Sequence, residues 1–236
     1  MLVLGLQKTT LLDYPGKVAS TIFTGGCNFR CPFCHNKDLV FPPADAFSYS
    51  EEELFEHFIA KKKVLDGVCI TGGEPTLHKD LPDFIKQIKD LGLLVKLDSN
   101  GTNPQMLEYL IKNKLVDYIA MDIKNCKPKY NDIACIANFD ITPIADSVNL
   151  LKEGMVSYEF RTTIMKECHT KEDMLSIARW LEGASAYYLQ SYKESEQVIN
   201  PIFSSHSLET LKEFVYFVHL IDFVLNYCLF LYYLNF

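Results

Sequence analysis

Apolar runs of strand length recur along the chain at residues 18–24, 68–71, 93–98, 116–123, 158–164 and 187–191, and stretches with helical spacing separate most of them. Ser50-Glu51-Glu52-Glu53 has the form of a capping box that opens a helix running toward Lys63. A second helix is expected from Pro82, burying Phe84, Ile85, Ile88 and Leu91 at helical spacing and stopping at Gly92. Asn103-Pro104 opens a third with a cap and a first-turn proline, residues 143–153 form a fourth that ends at Gly154, and Thr170 caps a fifth through Glu182 and Gly183.

Near-continuous apolar strands alternating with amphipathic helices predict parallel strands covered by helices and joined by right-handed crossovers, an α/β fold. Six such units are too few for a closed eightfold barrel. Periodicity alone leaves an open partial barrel and a doubly wound sheet equally available. In either, a functional site belongs at the C-terminal ends of the strands.

Composition narrows the class. With 236 residues, 48% hydrophobic and 22% charged, the chain can bury a substantial core as one domain, placed at residues 1–213. A net charge of −7 argues against a nucleic-acid partner, and the basic run Lys61-Lys62-Lys63 fits the solvated last turn of a helix. The N-terminus lacks a signal-peptide pattern, so a reducing, cytoplasmic setting is expected. Residues 214–236 read FVYFVHLIDFVLNYCLFLYYLNF, an atypical apolar, aromatic tail whose one charge is Asp222. Its length would suffice for a bilayer, but a central aspartate costs about 2.5–3.5 kcal/mol on insertion and no basic cluster flanks it. A membrane span is therefore disfavoured, and packing against a partner is the competing expectation.

The chemistry concentrates in Cys27-Asn28-Phe29-Arg30-Cys31-Pro32-Phe33-Cys34, directly after an apolar strand. Three soft thiolates on one short loop suit an iron–sulfur cluster or zinc, and a site with three protein ligands keeps a position open for chemistry. His35 could complete a structural zinc site, although such sites usually take two ligands from each of two knuckles. The cysteines at 69, 126, 135 and 168 are scattered and read as buried small hydrophobes rather than a disulfide framework. One of them serving as a fourth cluster ligand stays open.

Cys-x3-Cys-x2-Cys with an aromatic before the last cysteine resembles the signature of the radical S-adenosylmethionine (radical SAM) enzymes. Residues 6–36, LQKTTLLDYPGKVASTIFTGGCNFRCPFCHN, resemble the activating proteins of glycyl radical enzymes, in particular those of anaerobic ribonucleoside-triphosphate reductase. The resemblance implies a partial (β/α)6 TIM-like barrel. It further implies one [4Fe–4S] cluster on Cys27, Cys31 and Cys34, whose fourth iron takes the amino and carboxylate groups of S-adenosylmethionine.

The remaining candidates sit at predicted strand ends. Thr71-Gly72-Gly73-Glu74-Pro75 is by itself an ordinary turn whose glycines would allow close backbone approach to a ligand. It matches the family motif for the methionyl amino group, with Glu74 as anionic partner. Asp98, Asp122 and Lys124 are implied to line the S-adenosylmethionine pocket, the two aspartates also as holders of a monovalent cation. Arg161 could meet a carboxylate bidentately or simply pair a neighbouring acid. Gln190 is a candidate contact for the adenosyl part, and Phe33 for packing near the adenine.

The reaction implied is one-electron cleavage of S-adenosylmethionine to a 5′-deoxyadenosyl radical, which takes a hydrogen atom from a glycine of a partner enzyme. An external donor such as flavodoxin or ferredoxin would supply the electron. The segment 36–50 is short and free of cysteine, so a single cluster is expected, and a small open barrel could admit a partner's loop. Two other functions compete: a radical SAM enzyme acting on a small molecule, of the deazapurine synthase kind, and a zinc-binding interaction module.

Overall fold

The computed structural model describes residues 1–195, 198–221 and 230–231. Its strands, in chain order, are β1 (Val3–Thr10), β2 (Ala19–Thr24), β3 (Gly67–Gly72), β4 (Leu94–Ser99), β5 (Tyr118–Asp122), β6 (Ser157–Ile164), β7 (Tyr187–Ser191) and β8 (Phe230–Leu231). They form one sheet in that same order, with β1 antiparallel to β2 and every later neighbour parallel. Sequential parallel strands with crossovers curl the sheet, and among the described residues β1 and β8 remain its two edges. The fold is an unclosed α/β barrel of the partial type.

The helices are α1 (Lys37–Val40), α2 (Glu51–Lys61), α3 (Leu81–Asp90), α4 (Pro104–Lys112), α5 (Tyr130–Ala134), α6 (Thr142–Lys152), α7 (Lys171–Trp180) and α8 (Leu208–Ile221). Ser50 and Glu53 form the expected reciprocal capping box of α2, and Thr170 forms another with Asp173 on α7. The helices cover an interior in which Ile22, Ile70, Leu97, Ile119 and Phe160 are fully buried. Each such side chain contributes roughly 1.5–3 kcal/mol relative to exposure.

The six predicted parallel strands are β2 to β7. Sequence reasoning missed β1, whose exposed Gln7 and Lys8 interrupt any apolar run; it pairs along β2 and gives that edge a polar outer strand. Leu91 is only partly buried, because it caps α3 rather than continuing its apolar face. Cys69 and Cys126 are buried as expected, whereas Cys168 is half-buried and Cys135 is exposed. Cys135 lies outside the core because it terminates α5 in a left-handed turn, with φ of 52°.

The boundary drawn at 213/214 falls inside α8, which packs on α7 and β7 and buries Leu211, Phe214 and Val218. Of the apolar tail, residues 222–229 and 232–236 lie outside the described residues. No helix among the described residues is long and apolar enough to cross a membrane.

Candidate functional site

A cavity of about 230 Å³ opens at the C-terminal ends of β3 to β7. Cys27, Cys31, Cys34 and Phe33 line it together with Gly72, Gly73, Glu74, Asp98, Asp122, Lys124, Arg161 and Gln190. The structure thus brings every site residue named from the sequence to one wall or another of a single cavity. Its construction explains why those residue types stand there.

The cysteine loop follows β2 and is held from several sides. Arg30 N–H donates to Ala134 O at the end of α5 (2.9 Å), while Cys34 O and Pro32 O accept from Ile199 and Asn200 (3.1 and 2.7 Å). The glycine turn after β3 packs directly on the approach to Cys27. Gly73 N–H donates to Thr24 O and Glu74 N–H to Gly26 O, both at 2.8 Å. A Cβ at Gly73 would stand 1.9 Å from Gly26 O, so only glycine permits the contact. Gly72 adopts φ of 121°, a conformation side chains rarely take.

Glu74 is fully buried and its carboxylate is engaged by the protein itself. Oε1 accepts from the Thr76 backbone N–H (3.2 Å), Thr76 Oγ1 (2.5 Å) and Ser99 Oγ (2.9 Å), and Oε2 accepts from Asn100 N–H (2.6 Å). Burial raises its pKa, and these four donors oppose the rise. Glu74 therefore ties the β3 turn to the end of β4, a structural duty that its family motif did not announce.

On the opposite wall, register places Asp122 of β5 beside Arg161 of β6. The Arg161 guanidinium bridges Asp98 (Nη2–Oδ2 3.2 Å) and Asp122 (Nε–Oδ1 3.1 Å). Lys124 Nζ meets the other oxygen of Asp122 at 2.9 Å, and Lys96 Nζ pairs with Asp98 from within β4. Burial alone would raise both aspartates. Lys124 and Arg161 reverse this for Asp122, to about 2, and Arg161 and Lys96 do so for Asp98. Arg161 Nη1 also stands 4.0 Å from Glu159 Oε1, so three carboxylates face the three cations. Lys96 escaped the sequence reading because it lies inside an apolar run and is itself buried.

Phe33 is buried below the Lys124 ammonium, 5.9 Å from ring centre to Nζ. Gln190 Oε1 accepts from Thr163 Oγ1 at 3.3 Å across the β6–β7 register. Val40, Asn36, Asn100, Ser99 and Phe29 also line the cavity and were not singled out from sequence.

Three thiols on one loop are a donor set that an iron–sulfur cluster accepts. Burial pushes the Cys27 thiol up to about 11 and the Cys31 thiol up to about 12, so ionised sulfurs there require a cationic centre against them. Among the described residues no three His, Cys, Asp or Glu side chains gather tightly enough to hold one metal ion. His35 Nε2 meets Lys193 O at 2.6 Å, a bond compatible with ligation through Nδ1, so it does not decide against the zinc alternative. A polynuclear iron–sulfur centre takes one thiolate per iron.

Comparison with known proteins agrees with this assembly. The Radical SAM superfamily profile matches residues 21–181. A protein of Methanocaldococcus jannaschii that carries the name glycyl-radical enzyme activating enzyme is 35% identical over 199 residues, 83% of this chain and 81% of its own. The pyruvate formate-lyase-activating enzyme of Listeria monocytogenes is 31% identical over 153 residues, 60% of each chain. Among solved structures, Streptococcus suis SuiB bound to precursor peptide SuiA superposes with a TM-score of 0.67 at 15% identity, over 84% of this chain and 44% of that one. A domain of a pyruvate-formate lyase-activating enzyme from Bacteroides vulgatus gives 0.55 at 16% identity, over 66% and 94%. At such identities the two structures speak to the fold alone.

Proposed function

The chain belongs to the radical SAM superfamily and is homologous to glycyl-radical-enzyme activating enzymes, and we propose that it installs a glycyl radical on an anaerobic ribonucleoside-triphosphate reductase. The observation that carries the reading is the convergence of the three cysteines, the Gly72–Glu74 turn and the Asp98–Arg161–Asp122–Lys124 network on one cavity. The choice of reductase rests on the resemblance of residues 6–36.

Cys27, Cys31 and Cys34 would hold the [4Fe–4S] cluster, and S-adenosylmethionine would lie across the cavity. When bound, this pair supplies one-electron cleavage of the sulfonium and the hydrogen-atom abstraction that follows. The chain's own groups prepare the place. Lys124 and Arg161 present N–H donors at that wall, which a ligand carboxylate could meet. The glycine turn packs directly against the cysteine loop, so a ligand in the cavity would touch both. Phe33 offers an apolar face, and Gln190 a polar edge, for an adenine. The electron would come from a flavodoxin or ferredoxin, and the setting is cytoplasmic.

The test is anaerobic. The protein is reconstituted with iron and sulfide, reduced, and given S-adenosylmethionine with and without the reductase. The expected products are 5′-deoxyadenosine and, with the reductase, a glycyl radical doublet in its EPR spectrum. Cleavage without a doublet would shift the reading to a small-molecule substrate. A colourless, zinc-loaded protein that leaves S-adenosylmethionine intact would sink it.

A further inference from the structure

Between the cysteine loop and the β4–α4 connection lies a closed ring of three side chains. Asn28 Nδ2 donates to Thr102 Oγ1 (2.8 Å), Thr102 Oγ1 donates to Asn100 Oδ1 (2.6 Å), and Asn100 Nδ2 donates to Asn28 Oδ1 (2.8 Å). Every bond runs in the same sense around the ring, so each polarises the next. Thr102 N–H adds a fourth bond to Asn100 Oδ1 at 3.0 Å. Asn100 is buried, and its backbone N–H is the one that donates to Glu74 Oε2.

The ring joins three parts of the site. Asn28 directly follows Cys27, Asn100 and Thr102 follow the last residue of β4, and Glu74 belongs to the glycine turn after β3. The loop that bears the cysteines is therefore fastened by side chains to the same strand ends that face the cavity. Its backbone anchors to Ala134 and to residues 199–200 lie elsewhere along the loop, after Cys27. Asn28 is thus the side-chain anchor on the far side of Cys27 from Gly26, whose backbone N–H and O are held by Leu39 and Glu74.

We propose that Asn28, Asn100 and Thr102 are positioning residues that hold the cysteine loop at a set height over the cavity before any ligand arrives. None of them donates a thiolate, and the side-chain groups of Asn28 and Asn100 that form the ring are already committed to it. Their effect passes through where Cys27 stands relative to Gly72, Gly73 and Glu74. The part concerning ligand affinity rests on the radical SAM reading above; the part concerning loop order does not.

The experiment uses the full chain and the variants Asn28→Ala, Thr102→Val and Thr102→Ser. In the protein without cluster, backbone amide exchange of residues 27–34 should speed up about tenfold in Asn28→Ala and Thr102→Val, as expected for loss of a hydrogen bond or two. Thr102→Ser keeps the hydroxyl and should exchange like the parent chain. In the reconstituted protein the first two variants should raise KM for S-adenosylmethionine about tenfold with a smaller change in kcat, and weaken the shift of the reduced-cluster EPR signal on adding S-adenosylmethionine. Parent-like exchange in Asn28→Ala and Thr102→Val, or failure of Thr102→Ser to restore it, overturns the proposal. A parent chain that does not cleave S-adenosylmethionine overturns the proposed function instead, and the exchange contrast still decides the ring.

Discussion

The His169 imidazole donates from Nε2 to the backbone carbonyl of Lys124 at 3.0 Å, while its Nδ1 accepts the Met165 N–H at 3.2 Å. Both bonds require the neutral ring with its proton on Nε2. The ring is fully buried, which lowers its pKa from 6.5 to about 4, although its bond to the Lys124 carbonyl and the nearby Asp173 pull upward. The segment that carries Asp122 and Lys124 is thereby pinned from behind by a group that must stay uncharged.

A stability profile follows from this shift. Between about pH 4 and 6.5 the unfolded chain binds a proton at His169 that the folded chain refuses. Stability is therefore full above 6.5 and falls as pH drops through the window, by up to about 1.4 kcal/mol per unit. His169→Gln keeps a donor and an acceptor but does not titrate. Urea unfolding at pH 7.5 and at 5 should show a steeper loss in the parent chain than in the variant, and equal losses would refute the assignment.

Arg161 should be difficult to replace. Its guanidinium spans Asp98 and Asp122, and a lysine cannot reach both with the same fork. Arg161→Met leaves two ionised carboxylates with one cation fewer, a loss of about 2–4 kcal/mol after allowance for the partial exposure of Asp122. Exchanging potassium for a bulky organic cation should leave S-adenosylmethionine cleavage by the parent chain unchanged and slow it in Arg161→Met. Equal sensitivity in both would mean that a cation shares the aspartates with Arg161.

Two neighbouring glycines should separate steric need from backbone strain. At Gly73 a methyl group would collide with the Gly26 carbonyl, which is backbone and cannot rotate away. At Gly26 a Cβ meets nothing within 4 Å, and the cost is only that of its φ of 89°, about 1–2 kcal/mol. Gly73→Ala should therefore lose most bound iron after reconstitution, whereas Gly26→Ala should lower Tm by several degrees and retain iron. Measuring both quantities on both variants checks the distinction.

Much of this site was legible because it is written in short contiguous motifs at strand ends, where an apolar run stops and Cys, Gly, Asp or Glu begins. The parallel strands were readable because β2 to β7 are largely buried on both faces and carry short apolar runs. What stayed hidden depends on contacts distant in sequence. Lys96 lies inside the apolar run 93–98, and its place at the site depends on Asp98 and the Cys69 side chain beside it. Asn28 and Thr102 are 74 positions apart, and neither residue type advertises a ring in isolation. β1 and the short helices α1 and α5 carry too few apolar residues to show a period, and tertiary pairing defines them.

The last helix tests where the folded unit ends. Phe214 and Val218 of α8 are buried, and with Leu211 they form a stripe at spacings of three and four that packs on α7 and β7. A cut after residue 213 would leave six residues of α8, under two turns, and uncover the surface that its second half protects. Phe214→Ala should cost about 3 kcal/mol. Exposed Tyr216 lies between the buried positions, and its replacement by serine should change stability by less than about 0.5 kcal/mol. Urea unfolding of the two variants against the parent chain decides the matter: a stable Phe214→Ala protein would place the end of the domain before this helix, and a destabilised one would place it beyond.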